Sequence, residues 1–205
     1  MIASQTVDPE VSRAKFDREI ADFRSLASDY GARGWFLAEA SYPLALVVLA
    51  APQLSPAPLV TGVLFDYTDY DLRPPSVQLV NPFTRIPWRR EELPTSLRRR
   101  AQDQALVIPG LQLPPGAAPP RIAQLQDLIQ AYPDGVPFLC IAGVREYHEH
   151  PAHSGDLWEL HRPAGAGRLA RILEVIDTYG VRPLTGYNIA LVPQVTGFRQ
   201  GEPPP

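Results

Sequence analysis

All four histidines of this chain, His148, His150, His153 and His161, fall within fourteen residues, and its one cysteine, Cys140, stands eight residues before the first of them. Glu146 and Glu149 lie in the same stretch. Cysteine, histidine and carboxylate are the side chains zinc takes, usually four in a tetrahedron. Glu146, His148 and His150 share parity, so an extended backbone would put them on one face. Cys140 shares that parity, but a straight strand would hold it about 20 Å from Glu146. A turn at Ala142-Gly143 would fold the two segments together, and glycine makes such a turn sterically easy. Cys140, Glu146, His148 and one of His150 or His153 are therefore the candidate ligands of a zinc site. With four protein ligands the site would be structural. With three it would keep a position for an activated water, with Glu149 or Glu146 as base, the arrangement of a zinc-dependent hydrolase. The spacing is neither CxxC nor HExxH.

Other chemistries remain open for the same residues. Cys140 is a nucleophile if a flanking histidine makes its thiolate accessible. Phe138, Leu139 and Ile141 argue instead for a buried structural thiol, because apolar burial disfavours the charged form. Ser154, His153 and Asp156 form a hydrolase triad on paper, but residues this close in sequence rarely point at one another.

The elements around this cluster follow from patterning. Asp8, Pro9 and Glu10 read as a helix start. Phe16, Ile20, Phe23, Leu26 and Tyr30 continue at helical spacing, and Gly31 is the expected stop, giving a helix over 9–30. Residues 35–40, 44–51 and 59–65 are short apolar runs between breaks, three strands of an antiparallel meander, with 76–80 as a fourth. Residues 81–137 read as an irregular insertion holding Arg85, Arg89, Arg90, Arg98, Arg99 and Arg100, a solvated surface or a docking patch for an acidic partner. Within it, 113–120 is linker-like, and Ile122, Leu125, Leu128, Ile129 and Tyr132 suggest a short helix. Residues 138–142 read as a buried strand, 148–162 as a polar flap, 169–179 as a second helix ending at Gly180, and 187–192 as a last strand. The expectation is one α+β domain over 1–205, with a disordered tail at 199–205.

Composition limits the function classes. Hydrophobic residues are 45% and charged residues 20%, as in packed globular chains. The net charge of −3 gives no global field to draw in nucleic acid. The longest apolar run, 44–51, is far too short for a membrane span. No basic start followed by an apolar stretch marks a leader, and one cysteine excludes an internal disulfide. These features predict a cytoplasmic protein with no nucleic-acid or membrane partner. Lysine occurs once, as Lys15, against 18 arginines.

Two motifs resemble the ubiquitin-conjugating-enzyme superfamily. Tyr70-Asp-Leu-Arg-Pro74-Pro75-Ser-Val77 looks like that family's tyrosine–proline, proline–proline, valine stretch before its fourth strand. His150-Pro151-Ala152-His153-Ser154-Gly155-Asp156-Leu157-Trp158 looks like its His-Pro-Asn flap, with Trp158 where the nucleophilic cysteine belongs and Ala152 in place of the asparagine. An alternative alignment puts Cys140 at the nucleophile. The resemblance spans roughly 8–180 and implies a leading helix, a four-stranded meander, a flap and closing helices. The cysteine–glutamate–histidine–histidine order is also similar to a bacterial family named CEHH for those letters, which implies Cys140, Glu146, His148, and His150 or His153 as metal ligands. Together these resemblances imply a component of a bacterial ubiquitin-like modification pathway, with a ubiquitin-like protein and an activating enzyme as partners and a role in antiphage defence. The leading expectation is a variant without the usual catalytic thiol that holds zinc. The alternatives are an active transferase with Cys140 as thioester nucleophile, and a zinc-dependent hydrolase.

Overall fold

The computed structural model describes residues 6–101, 103–105, 114, 117–132 and 135–188. The chain opens with α1 (Pro9–Ser25) and α2 (Ala27–Ala32). The Asp8 carboxylate accepts from the Glu10 N–H at 2.9 Å, and Pro9 occupies the first turn, so the helix begins where the sequence predicts. It does not run unbroken to Tyr30. Leu26 leaves helical geometry, and Gly31 lies inside α2. The stop is Gly34, at φ +82°, whose carbonyl accepts from the Ala50 N–H at 2.7 Å. A Cβ there would lie 2.5 Å from the Ala50 carbonyl oxygen, so both conformation and close approach require glycine.

Four strands follow: β1 (Trp35–Ser41), β2 (Leu44–Ala50), β3 (Leu59–Asp66) and β4 (Ser76–Val80). They pair antiparallel in chain order, as expected of a meander. Alternation puts Val47 and Leu49, then Val63 and Phe65, then Val77 and Leu79, on the inner face. α1 lays Phe16, Ile20 and Phe23 into this core. Each such side chain removed from water contributes roughly 1.5–3 kcal/mol.

The described residues of 81–137 include short strands. They form β5 (Arg98–Arg100), β6 (Gln104–Ala105), β7 (Arg121–Ile122), β8 (Leu125–Asp127) and β9 (Ile129–Ala131), and β10 (Pro137–Leu139) closes a hairpin with β9. β5 pairs with β8 and β6 with β7. The helix predicted from Ile122 to Tyr132 is therefore extended chain. Its apolar spacing fitted a helix, but Ile122 and Leu125 are exposed and only Leu128 and Ile129 enter the core. Ladder pairing decided the conformation.

The strand expected over 138–142 ends at Leu139. α3 (Arg145–Glu149) and α4 (Trp158–His161) replace an extended flap, and α5 (Leu169–Ile176) continues into a wider turn over Asp177–Val181. Leu169, Ile172, Leu173 and Ile176 pack into the core with α1. Buried Asp177 ties this end to α2 through Arg33, at 3.0 Å. The architecture is α+β, with an N-terminal helix, a four-stranded antiparallel sheet and a C-terminal helix. Among the described residues no helix is long and apolar enough to cross a membrane. The strand expected at 187–192 and the tail at 199–205 lie outside the described residues, apart from Tyr187 and Asn188, which belong to no strand.

Candidate functional site

β10 runs beside β4 and hands the chain to Cys140, whose N–H donates to the Leu128 carbonyl at 2.8 Å. The chain then turns through Gly143, where a Cβ would stand 2.2 Å from the Ala166 carbonyl oxygen. Glycine is needed here for close approach. α3 and the short turn Pro151–His153 bring the histidines back across the thiol.

Cys140 Sγ lies 3.3 Å from His153 Nε2. The Gln130 side-chain amide donates to the same sulfur at 3.2 Å. The thiol is half-buried, and burial pushes its pKa up, with the field of Arg99 opposing and that of Asp127 adding. A group held this way is mostly neutral thiol at neutral pH and needs a base beside it to react. The His153 ring stacks on Tyr147, centroids 4.0 Å apart. The Tyr147 hydroxyl donates to Asp156 Oδ2 at 2.7 Å, and Asp156 Oδ1 lies 2.6 Å from His161 Nε2. Burial, then the Asp156 bond and charge, push the Tyr147 phenol up to about 12, so it stays a donor.

The other expected ligands go elsewhere. α3 is a helix, so Glu146 and His148, two apart, point in different directions, and the parity argument fails. Glu146 turns to β4, accepting from the Ser76 hydroxyl and, at 3.2 Å, from the Val77 N–H. Burial pushes its pKa up, while those donors oppose. His148 bridges two carbonyls, Nδ1 at 2.8 Å from Asp156 O and Nε2 at 2.8 Å from Ala142 O. His150 Nδ1 accepts from the Ala152 N–H at 3.3 Å, and its ring lies 5.7 Å from that of His153. Among the described residues, no three His, Cys, Asp or Glu side chains are placed to hold a metal ion. Of the candidate ligands, Cys140 and His153 are the pair in contact. As arranged, the five residues do not fit a tetrahedral zinc site.

Ser154, His153 and Asp156 form no triad either. Ser154 is exposed, and the Asp156 carboxylate is taken by Tyr147 and His161. Trp158 is buried and donates to the Asp71 carbonyl at 2.9 Å. Arg145 reaches the Thr68 and Pro74 carbonyls. The two motifs that carried the resemblance, 70–77 and 150–158, therefore pack together. Gln130, Tyr147 and Arg99 were not singled out as site residues from sequence. A signal for Gln130 existed: the residue types Pro-Asp-Gly at 133–135 favour a turn, and the strands on either side, β9 and β10, pair with Gln130 opposite Phe138, two residues before Cys140.

A sequence profile of the Y4jH-like family (Y4jH family) matches residues 7–184. The chain belongs to this family. A Sinorhizobium fredii (strain NBRC 101917 / NGR234) protein bearing the name "Uncharacterized protein y4jH" is 47% identical over 190 residues, covering 91% of this chain and 90% of that protein. The Y4jH match takes in the sheet, the Cys140–His153 contact and α5.

Proposed function

We propose that this chain is a thiol acyl carrier of the ubiquitin-conjugating type, with Cys140 as the thioester-forming residue and His153 as its base. The observation that carries the reading is the 3.3 Å contact between Cys140 Sγ and His153 Nε2. The order of helix, four-stranded meander and closing helix supports the scaffold half of the proposal.

The chemistry is a thioester exchange. His153 takes the Cys140 proton as the sulfur attacks the carbonyl carbon of a thioester presented by an activating enzyme. A new S–C bond forms, the donor's C–S bond breaks, and the departing thiolate recovers the proton. The Gln130 N–H, 3.2 Å from the sulfur, stabilises charge gathering there. The acyl group is the C-terminus of a ubiquitin-like protein. A later amine attacks the same carbonyl and releases Cys140 as thiol.

The same contact favours a second reading, in which Cys140 and His153 are two ligands of a zinc ion. That reading requires Glu146 or His148 to leave its present partners.

One experiment separates them. The full chain is incubated with ATP, the activating enzyme and the ubiquitin-like protein, and its zinc content is measured in parallel. The carrier reading predicts a reductant-sensitive adduct that Cys140→Ala abolishes. About one zinc per chain, lost in Cys140→Ser, with no adduct, would replace it with the metal reading.

A further inference from the structure

Among the described residues, β5 pairs along one edge, with β8. Its register with β8 sets Arg98 opposite Asp127, Arg99 opposite Gln126 and Arg100 opposite Leu125. The Leu128 N–H donates to the Leu97 carbonyl, and the Ala101 N–H to the Gln124 carbonyl. In an antiparallel ladder alternate residues turn their backbone groups toward the partner. Leu97, Arg99 and Ala101 therefore face β8, and the N–H and C=O groups of Arg98 and Arg100 face the other way. Those groups have no partner among the described residues.

The side chains on this edge are three exposed guanidinium groups. Arg100 is paired with Asp103 at 2.9 Å. Arg99 donates to the neutral Gln126 side-chain carbonyl at 2.8 Å and has no anionic partner among the described residues. Arg98 has no anionic partner among the described residues. It lines an open cavity of about 340 Å³ with Thr95 and Ser96, where the Arg90 charge is already taken by Asp127 at 2.6 Å. Among the described residues, two cations without an anionic partner thus flank a strand edge without a backbone partner. The same strand lies close to the thiol: the Leu128 N–H donates to the Leu97 carbonyl just before β5, and the Leu128 carbonyl accepts from the Cys140 N–H, both at 2.8 Å.

We propose that β5 is a docking edge for an extended acidic peptide segment, which adds to it as a third strand and places acidic side chains on Arg98 and Arg99. The backbone argues for peptide over nucleic acid. An open strand edge presents donors and acceptors together, and a peptide backbone matches both, whereas phosphates only accept. Nor does Trp88 offer a stacking platform: it is half-buried, its N–H held by Thr61 at 3.1 Å. The inference rests on the carrier reading in one respect, because it names the substrate class of that site: a chain with acidic residues near the carboxyl terminus that reaches Cys140.

Binding is measured on the full chain carrying Cys140→Ala, so that its failure leaves the thioester assay standing, and the reverse. A fluorescein-labelled Thr-Val-Glu-Glu-Val-Thr peptide, whose adjacent glutamates face opposite sides of a strand as Arg98 and Arg99 do, is titrated by anisotropy. Saturable binding is expected. It should weaken about tenfold in the folded variant Arg98→Ala/Arg99→Ala and fall as salt is raised. The same peptide N-methylated at alternate residues should also bind more weakly, because it cannot complete the ladder. Equal binding by the double variant or by the N-methylated peptide would overturn the proposal. So would no binding, or an oligouridylate of equal charge binding at least as tightly.

Discussion

Tyr147 lies flat against His153, ring centroids 4.0 Å apart and planes 20° from parallel, while the far side of the phenol is tied to Asp156. The imidazole facing Cys140 is thus held by a stacked neighbour whose own rotation is fixed. Tyr147→Phe keeps the stack and loses one hydrogen bond, a cost of about 1 kcal/mol. Tyr147→Leu loses the platform. Alkylation of Cys140 should be nearly unchanged in the first variant and clearly slowed in the second. Equal rates in both would show that His153 needs no support from this ring.

The base role proposed for His153 has its own signature. Iodoacetamide modification of Cys140 at neutral pH should be about tenfold slower in His153→Ala. The two rates should converge at high pH, where the thiol ionises without help. A constant ratio at every pH would mean that the substitution acts on access to the thiol.

Gly143 tests the turn that presents Cys140. A methyl group there meets the Ala166 carbonyl oxygen at 2.2 Å, and backbone must move. Gly143→Ala should destabilise the chain by about 1–3 kcal/mol in denaturant unfolding, whereas Gly155→Ala, with open space around it, should cost far less. Equal effects would show that the turn yields freely.

Two carboxylates predict opposite pH behaviour. Hydrogen bonds from Tyr147 and His161 hold the Asp156 pKa below its ordinary value. Its contribution to stability is full above the usual carboxylate range and is lost as pH falls through the folded-state value. The stability deficit of Asp156→Asn should therefore grow as pH rises from about 3 to 5. Burial raises the Glu146 pKa. Its contribution is full at low pH and is lost as pH rises through the raised value. Glu146→Gln should gain on the wild type as pH rises from about 4 to 7. Unfolding curves across that range check both signs, and parallel trends would contradict the assignment.

The scaffold was legible in sequence because its signals are local and periodic. Asp8-Pro9 opens α1, and the short apolar runs at 44–51, 59–65 and 76–80, set apart by breaks, give β2, β3 and β4. Residues 121–131 misled because Leu128 and Ile129 are buried at a strand junction, where helical and extended spacing cannot be told apart over so short a run. The site was half legible. Cys140 and His153 do meet. Glu146 and His148 share parity in the sequence but not direction in α3, and their present partners, Val77 N–H and the Ala142 carbonyl, are backbone groups that no residue pattern marks. Gln130 and Tyr147 reach the thiol pair only because the hairpin and α3 bring them there.

The carrier claim is tested most directly without any natural partner. A short synthetic peptide thioester ending in Gly-Gly is mixed with the purified chain at neutral pH, and intact mass is followed over time. The account predicts one acyl group per chain, carried on Cys140, removed by reductant, slower to form in His153→Ala and absent in Cys140→Ala. A mass that never changes in the wild type, with the thiol confirmed free and the chain folded, would contradict it.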